Sequence, residues 1–202
     1  MMTSVPQILA VVISYLVGSV PFGLLLGKHY ANIDVRRTGS GNIGATNVLR
    51  AAGKKAAALT LVADAIKGLV PVLIVRLLFK DDLTTSVCGA AAILGHNFPI
   101  YLGFKGGKGV ATSFGVVLAI SPVIGAICLL TWLAAALLWK YSSLWALLAF
   151  AAYPLMTFLF YSSLSKPYAV LSLFVFGMIY YRHRENIKRL LTGTEPKIGS
   201  KQ

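Results

Sequence analysis

Long apolar runs alternate with short polar segments along the whole chain. The runs that approach the length of a membrane-spanning helix are 5–27, 56–79, 84–102, 109–139, 142–161 and 167–181. A helix needs about 20 apolar residues to cross the hydrocarbon core of a bilayer. The pattern therefore predicts an all-α integral membrane protein, with residues 1–202 forming a single domain.

The run 109–139 is too long for one straight crossing. At about 1.5 Å per residue its helix would be about 46 Å long, whereas the hydrocarbon core is about 30 Å thick. Ser121 and Pro122 interrupt the run, and the residue before a proline is disfavoured in helical geometry. The run is therefore either one kinked helix or two short helices, 109–120 and 122–139.

The basic residues favour two helices, because a reversal at Ser121-Pro122 collects most of the positive charge on one side of the membrane. On that side lie fifteen basic residues: Lys28, Arg36, Arg37, Arg50, Lys54, Lys55, Lys105, Lys108, Lys140, Arg182, Arg184, Lys188, Arg189, Lys197 and Lys201. Only Lys80 and Lys166 lie on the other side. Under the positive-inside rule the basic side faces the cytoplasm. We therefore expect a seven-transmembrane-helix bundle with its N-terminus outside, its C-terminus inside and its polar loops on the cytoplasmic face.

Composition agrees with lipid as the solvent of this chain. Hydrophobic residues make up 57% of the 202 residues and charged residues only 12%, whereas soluble domains carry about 25% charged residues. The net charge of +13 does not indicate nucleic acid, because the basic residues lie at the ends of apolar runs rather than along one soluble face. Cys88 and Cys128 lie inside apolar runs and are expected to be buried free thiols.

The first polar cluster is RRTGSGNIGATNVLR, residues 36–50. Its glycines let the backbone turn its N–H groups towards a ligand, and Arg50 can bind a phosphate bidentately. The other candidate phosphate-binding residues in this cluster are small or neutral: Ser40, Gly41, Asn42, Gly44, Thr46 and Asn47. A solvated turn would use the same residue types, so the pattern leaves both interpretations open.

The second cluster is FKGGKGVATS, residues 104–113. A glycine-rich loop before a helix N-terminus is suited to bind an anion. The candidate ligands are the two lysines, the three glycines and the first hydroxyl residue: Lys105, Gly106, Gly107, Lys108, Gly109 and Thr112. The spacing does not fit a Walker A loop, because Leu102 lies five residues before Gly107 and a glycine follows Lys108. A basic cytoplasmic turn would explain the lysines but not the three glycines.

The third cluster is YYRHRENIKRLLTGTE, residues 180–195. His183 and Asn186 share a helical face because they are three residues apart, although a histidine in a basic interfacial helix can also be plain polar surface. Asp64 and Lys67 have the same spacing inside an apolar run, where charged residues are costly. They form either a structural pair or a ligand-supporting one.

Five stretches of the chain resemble, in order, the signatures of the PlsY family of bacterial acyl-phosphate:glycerol-3-phosphate acyltransferases. They are GSVPFG (18–23), GSGNIGATNVLR (39–50), DAIKG (64–68), KGGKGVAT (105–112) and YRHRENIKRLLTGTE (181–195). Any one of them would be a weak signal, but five in sequence with membrane spans between them are specific. The resemblance extends from about residue 8 to residue 196.

The resemblance implies a multi-pass enzyme of the bacterial cytoplasmic (inner) membrane that works without a cofactor or metal. It would transfer a fatty acyl group from acyl phosphate to the 1-hydroxyl of sn-glycerol 3-phosphate, giving lysophosphatidate and inorganic phosphate in phospholipid synthesis. The enzyme that supplies acyl phosphate is then a candidate partner. The catalytic residues expected on this basis are Ser40, Arg50, Lys108, His183 and Asn186, and Glu195 is expected to support the structure.

The role of His183 and the class of function each have an alternative. We expect His183 to bind a substrate phosphate rather than to act as the base, because no acidic residue flanks it; a phosphate oxygen would then accept the hydroxyl proton. The alternative function is a transporter or flippase for a phosphorylated metabolite. Transporters place polar residues near the bilayer midplane and commonly contain repeats, whereas this chain concentrates them at one surface.

Overall fold

The computed structural model describes residues 4–139, 141–161 and 165–197. Within these ranges the secondary structure is helical and contains no strand, as predicted. The helices are α1 (Val5–Ser19), α2 (Phe22–Ala31), α3 (Ala45–Phe79), α4 (Asp82–Asn97), α5 (Val110–Ile120), α6 (Pro122–Trp139), α7 (Ser142–Tyr161), α8 (Lys166–Arg182) and α9 (Arg184–Leu191), with short 3-10 helices at Val35–Arg37 and Ile100–Leu102.

The first predicted span, 5–27, is divided into α1 and α2. Val20 has extended backbone angles (φ −61°, ψ 119°) and precedes Pro21, which disfavours helical geometry at the preceding residue. The second span begins earlier than predicted, because α3 starts at Ala45 and bends at Gly53, whose φ is +84°. Arg50 therefore lies on a helix instead of in the loop before it.

The long run 109–139 consists of two helices. Ser121 between α5 and α6 is extended (φ −142°, ψ 102°), as expected for a residue before Pro122. α5 packs mainly against α3, and α6 packs mainly against α7. The third predicted span, 84–102, ends early, since α4 stops at Asn97. Lys140, which supported the predicted orientation, lies outside the described residues.

Within the described part of the chain, three helical segments are long and apolar enough to cross a membrane: Val5–Ala31, Ala45–Phe79 and Ser142–Phe160. Large apolar side chains such as Leu78, Phe158 and Val170 lie on the outside of the bundle, while Phe150 and Val116 are fully buried in its core. An apolar outer surface of this kind suits a lipid solvent. The seven-crossing topology and the orientation of the termini stay predictions.

Candidate functional site

A cavity of about 610 Å³ brings together residues from segments that are far apart in the sequence. All three polar clusters contribute to its wall. The predicted site residues that line it are Ser40, Asn42, Gly44, Thr46, Asn47, Arg50, Asp64, Lys108, Gly109, His183, Asn186 and Glu195. The predicted residues that do not line it are Gly41, Lys67, Lys105, Gly106, Gly107 and Thr112.

The loop before α3 is fixed by the buried side chain of Asn47. Its Oδ1 atom accepts the N–H of Ser40 at 3.0 Å. Its Nδ2 group donates to the carbonyl oxygens of Val35 (2.8 Å), Thr38 (3.1 Å) and Asn42 (2.8 Å). Because its amide is occupied by the backbone, Asn47 shapes the loop and leaves ligand contact to its neighbours.

Three polar side chains that this segment presents to the cavity have no partner among the described residues. The hydroxyl groups of Ser40 and Thr46 and the guanidinium of Arg50 make no hydrogen bond or ion pair with any residue that the structure describes. Arg50 lies in the first turns of α3, beyond the N-cap at Gly44. A guanidinium held on a helix but not yet paired is well suited to bind a phosphate.

The glycine-rich loop owes its glycines to close packing on the end of α4. A Cβ on Gly106 would lie 2.2 Å from the carbonyl oxygen of His96, and one on Gly109 would lie 2.8 Å from Oδ1 of Asn97. The N–H of Gly107 donates to the His96 carbonyl oxygen at 3.0 Å. The expectation that Gly107 offers its amide to a phosphate is therefore wrong for this conformation.

Lys108 is the residue of this loop that reaches the cavity wall formed by α9. Its Nζ donates to Oδ1 of Asn186 at 2.5 Å, and Nδ2 of Asn186 donates to Oε1 of Glu195 at 2.6 Å. Burial lowers the pKa of Lys108 to about 8. The side chain is therefore a cation at neutral pH whose charge is incompletely compensated.

Glu195 closes this network from the C-terminal segment. Its carboxylate also accepts hydrogen bonds from Ser143 (2.6 Å) and Arg189 (2.8 Å). Burial raises the pKa of Glu195, but the hydrogen bonds from Ser143, Asn186 and Arg189 outweigh it and lower the pKa overall. The carboxylate thus ties α7 and α9 together.

His183 lies at the junction of α8 and α9 and is only 3% exposed. Its Nδ1 atom lies 2.8 Å from the carbonyl oxygen of Ile179. A carbonyl can only accept, so Nδ1 carries the proton and Nε2 keeps a lone pair. Burial and the positive charge of Lys108 lower the pKa of His183 to about 4, which keeps the ring neutral. The flanking sequence offers no acidic side chain to orient the ring, and the carbonyl oxygen of Ile179 orients it instead.

Lys67 holds other parts of the protein together and does not line the cavity. Its ammonium group pairs with Asp64 at 2.7 Å and donates to the carbonyl oxygen of Val20 at 2.8 Å, where Pro21 interrupts the helix. Thr112 is fully buried where α5 meets α3, with its backbone against Gly68. Asp64 differs from both because it also lines the cavity.

Several residues that line the cavity were missed by the sequence analysis: His96, Arg182, Arg184, Arg189 and Ser143. Arg182 donates from Nε to the carbonyl oxygen of Gly107 and from Nη2 to that of Gly106, both at 3.0 Å. The arginines lie inside the third cluster, so their position in that cluster was the available signal, whereas Ser143 lies far from all three clusters. His96 ends an apolar helix and gave no such signal.

The cavity is both cationic and partly apolar. Arg50, Lys108 and Arg182 face it, while the carboxylates of Asp64 and Glu195 are already paired with Lys67 and Arg189. An apolar part of its wall is formed by Leu61, Val110, Ala111 and Trp132. Within the described ranges no group of three His, Cys, Asp or Glu side chains is placed to hold a metal. Fold and site together indicate a helical membrane protein whose cavity is suited to a phosphorylated, partly apolar molecule.

Comparison with known proteins identifies the family. The family model described as glycerol-3-phosphate acyltransferase matches residues 8–193. A glycerol-3-phosphate acyltransferase of Dinoroseobacter shibae is 49% identical over 203 residues, covering 100% of this chain and 98% of the relative. One of Neisseria gonorrhoeae is 47% identical over 197 residues, covering 96% and 98%.

Solved structures agree with this assignment. The crystal structure of PlsY (YgiH), an integral membrane glycerol 3-phosphate acyltransferase in its glycerol 3-phosphate form, superposes with a TM-score of 0.91 at 41% identity, covering 96% of each chain. Its lysophosphatidic acid form gives a TM-score of 0.89 at 40% identity, again covering 96% of each chain. The chain belongs to the glycerol-3-phosphate acyltransferase family and is a membrane acyltransferase, as the five sequence signatures predicted.

Proposed function

We propose that this enzyme transfers a fatty acyl group from an acyl phosphate to the 1-hydroxyl of sn-glycerol 3-phosphate, giving lysophosphatidate and inorganic phosphate. Membership of the family supports the acceptor and the type of reaction. The observation that carries the proposal is the cavity itself. Arg50, whose guanidinium has no partner among the described residues, and Lys108, whose charge is incompletely compensated, both line it, and part of its wall is apolar. Such a site suits two phosphate groups and one acyl chain.

The electrostatic problem of this reaction explains why the cavity is so basic. Two unit negative charges about 5 Å apart repel by about 3 kcal/mol at an effective dielectric constant of 20. Arg50 and Lys108, assisted by Arg182, offset this repulsion and stabilise the charge on phosphate as it departs. The hydroxyl groups of Ser40 and Thr46 position the substrates for attack.

With an acyl phosphate as donor, the reaction does not require a nucleophile from the enzyme. The donor is a mixed anhydride, so the glycerol oxygen can bond directly to the carbonyl carbon. The bond from that carbon to the phosphate oxygen breaks, and its electron pair leaves with inorganic phosphate. The apolar residues Leu61, Val110 and Trp132 border the position where the acyl chain would lie.

The hydroxyl proton requires an acceptor. For His183, the geometry favours this role over the phosphate-binding role that we expected. A neutral ring whose Nδ1–H is bound to Ile179 presents only a lone pair at Nε2. A lone pair repels a phosphate oxygen but accepts a hydrogen bond from a hydroxyl group. We assign Nε2 of His183 as the group that receives the glycerol hydroxyl, with transfer of the proton during attack.

We also propose the seven-crossing topology, with the cavity facing the cytoplasm of the inner membrane and the whole chain as one domain. The basic residues around the cavity support this orientation through the positive-inside rule. Lys105→Cys and Lys166→Cys variants of the full chain test it, because both native cysteines are buried. In intact spheroplasts an impermeant thiol reagent should label position 166 and leave position 105 unlabelled. The reverse pattern would refute the orientation.

Purified protein in lipid nanodiscs tests the reaction. We expect incubation with palmitoyl phosphate and labelled glycerol 3-phosphate to release inorganic phosphate and lysophosphatidate in a ratio of one to one. Palmitoyl-coenzyme A and palmitoyl carrier protein, at equal concentration, should give no product. Product from a thioester, or product without phosphate release, would contradict the proposed donor. In sealed proteoliposomes containing the same protein, uptake of label without product would support the transporter alternative.

A further inference from the structure

His96 holds the glycine-rich loop with its side chain as well as its main chain. A Cβ on Gly107 would lie 2.0 Å from Nε2 of His96 and 2.8 Å from its Cε1, so the imidazole lies directly against the Gly107 backbone. The φ angle of Gly107 lies outside the left-handed region, so glycine is required here by this contact and not by backbone geometry. The imidazole therefore limits how closely the backbone at Gly107 can approach α4.

A buried pair of charges lies beside the imidazole, just beyond hydrogen-bond distance. Its Nδ1 atom lies 3.7 Å from Oδ1 of Asp64, whose carboxylate is held by Lys67 at 2.7 Å. All three side chains are buried, with residue exposures of 2–3%. Asp64 and His96 both reach the cavity wall. The Asp64–Lys67 pair, whose purpose the sequence left open, therefore stands directly behind the imidazole.

Arg182 also holds the loop. Its guanidinium donates to the carbonyl oxygens of Gly106 and Gly107 and lies 5.3 Å from the centre of the Phe98 ring. The two loop glycines thus contact both His96 and Arg182. Lys108 is the next residue, and its side chain extends from this fixed point to Asn186.

We propose that His96 is a positioning residue for Lys108, oriented in turn by Asp64. The imidazole acts as a stop that sets how closely the loop approaches α4, and so where the Lys108 ammonium group lies in the cavity. This inference rests on the proposed function, in which Lys108 stabilises the departing phosphate. A displacement of about 1 Å at a catalytic group can cost about 10²-fold in rate.

A double-mutant cycle between Gly107 and His96 tests the contact. Gly107→Ala should lower kcat/KM by about 10²-fold, because the added methyl group pushes the loop away from the imidazole. His96→Ala alone should cost about tenfold, since the loop loses its stop but keeps its main-chain hydrogen bond. The double variant should recover to about the activity of His96→Ala alone. Recovery is a gain of activity, so it cannot result from misfolding; a double variant no better than Gly107→Ala would overturn the proposal.

Gly106→Ala is the matched control for this cycle. A Cβ on Gly106 would meet the carbonyl oxygen of His96 at 2.2 Å and Cδ of Pro99 at 2.4 Å, which His96→Ala leaves in place. Gly106→Ala should therefore stay impaired in the His96→Ala background. If both glycine variants were rescued equally, the effect would be general loosening of the loop and the proposal would fail.

The route through Lys108 is tested by combining His96→Ala with Lys108→Gln. If His96 acts by positioning Lys108, the double variant should be no less active than Lys108→Gln, and His96→Ala should change the same parameter, KM or kcat, that Lys108→Gln changes. A purely structural role would make the two losses multiply. Unmodified enzyme must first give lysophosphatidate; its inactivity would refute the proposed function, whereas a failed cycle in active enzyme refutes only the role of His96.

Discussion

The two polar walls of the cavity are built in opposite ways. On one wall, formed by the loop before α3 and the first turns of α3 and called the α3 wall, the side chains of Ser40, Thr46 and Arg50 have no partner among the described residues. On the α9 wall Lys108, Asn186 and Glu195 are already joined in a continuous chain of hydrogen bonds.

The difference separates two tasks. Unpaired groups can all be given to a ligand, so the α3 wall is suited to substrate binding. Groups that are fixed before the substrate arrives need little reorganisation, so the α9 wall is suited to stabilise charge that develops during reaction. The buried side chain of Asn47 fixes the backbone of the α3 wall. The α9 wall is instead fixed by the hydrogen bonds among its own cavity-lining side chains.

Replacement of Arg50 should give the largest effect. We expect Arg50→Ala to lower kcat/KM for acyl transfer by about 10³-fold, because no other described residue of the α3 wall lining the cavity carries a positive charge. The melting temperature in detergent should stay unchanged, since the guanidinium has no partner to lose in the part of the chain that the structure describes. Arg37→Ala, in the same segment but away from the cavity, is the control and should retain full activity. A fall in melting temperature with Arg50→Ala would mean that this wall is paired after all.

Lys108→Gln should have the next largest effect, about 10²-fold in kcat. The loss is smaller because Arg182 and Arg189 line the same wall and partly replace the missing charge. Lys105→Gln is the matched control, since Lys105 is exposed and lies outside the cavity. Equal losses in the two variants would show that the overall charge of the loop, and not the position of Lys108, matters.

Asn47→Ala should affect binding and stability together. The substitution leaves the carbonyl oxygens of Val35, Thr38 and Asn42 without this donor and should destabilise the protein by about 2 kcal/mol. We expect KM for glycerol 3-phosphate to rise about tenfold because the loop no longer presents its free groups together. Asn42→Ala removes one hydrogen bond, to the N–H of Gly44, and should have a smaller effect on both quantities. Unchanged melting of Asn47→Ala would contradict the shaping role.

The pH profile should show the smallest effect. The pKa of Lys108 is lowered to about 8, so its positive charge is present below pH 8 and is lost above it. We expect kcat/KM to fall by up to about tenfold per pH unit above pH 8. In Lys108→Arg the decline should move to higher pH, because a guanidinium stays charged. A decline at the same pH in this variant would assign it to another group.

The membrane class and the motifs could be predicted from the sequence, and the interruptions of the helices in part. Ser121-Pro122 divides the run 109–139 as expected, because a proline acts on the residue directly before it. The same rule, applied to Val20-Pro21, would have divided the first span. We did not expect this division because the apolar run continues across the proline. The start of α3 at Ala45 was missed because its first turns are polar.

The roles of individual site residues were predicted less well. Asn47 and Arg50 look equivalent in a polar segment, yet the first is occupied by the backbone and the second is free. Gly107 looked like an anion-binding glycine but packs on His96, which lies eleven positions earlier at the end of an apolar helix. Neither distinction depends on residue type or local spacing.

The sequence by itself determined that this protein lies in a membrane, that it is helical and that most of its polar chemistry lies in three segments. These properties follow from apolar run length, composition and short motifs, none of which depends on how the helices pack. Only the tertiary structure decided which polar groups face the cavity and which hold it together. That choice depends on contacts between residues such as Lys108 and Asn186 or Asp64 and His96, which become neighbours only when the helices pack.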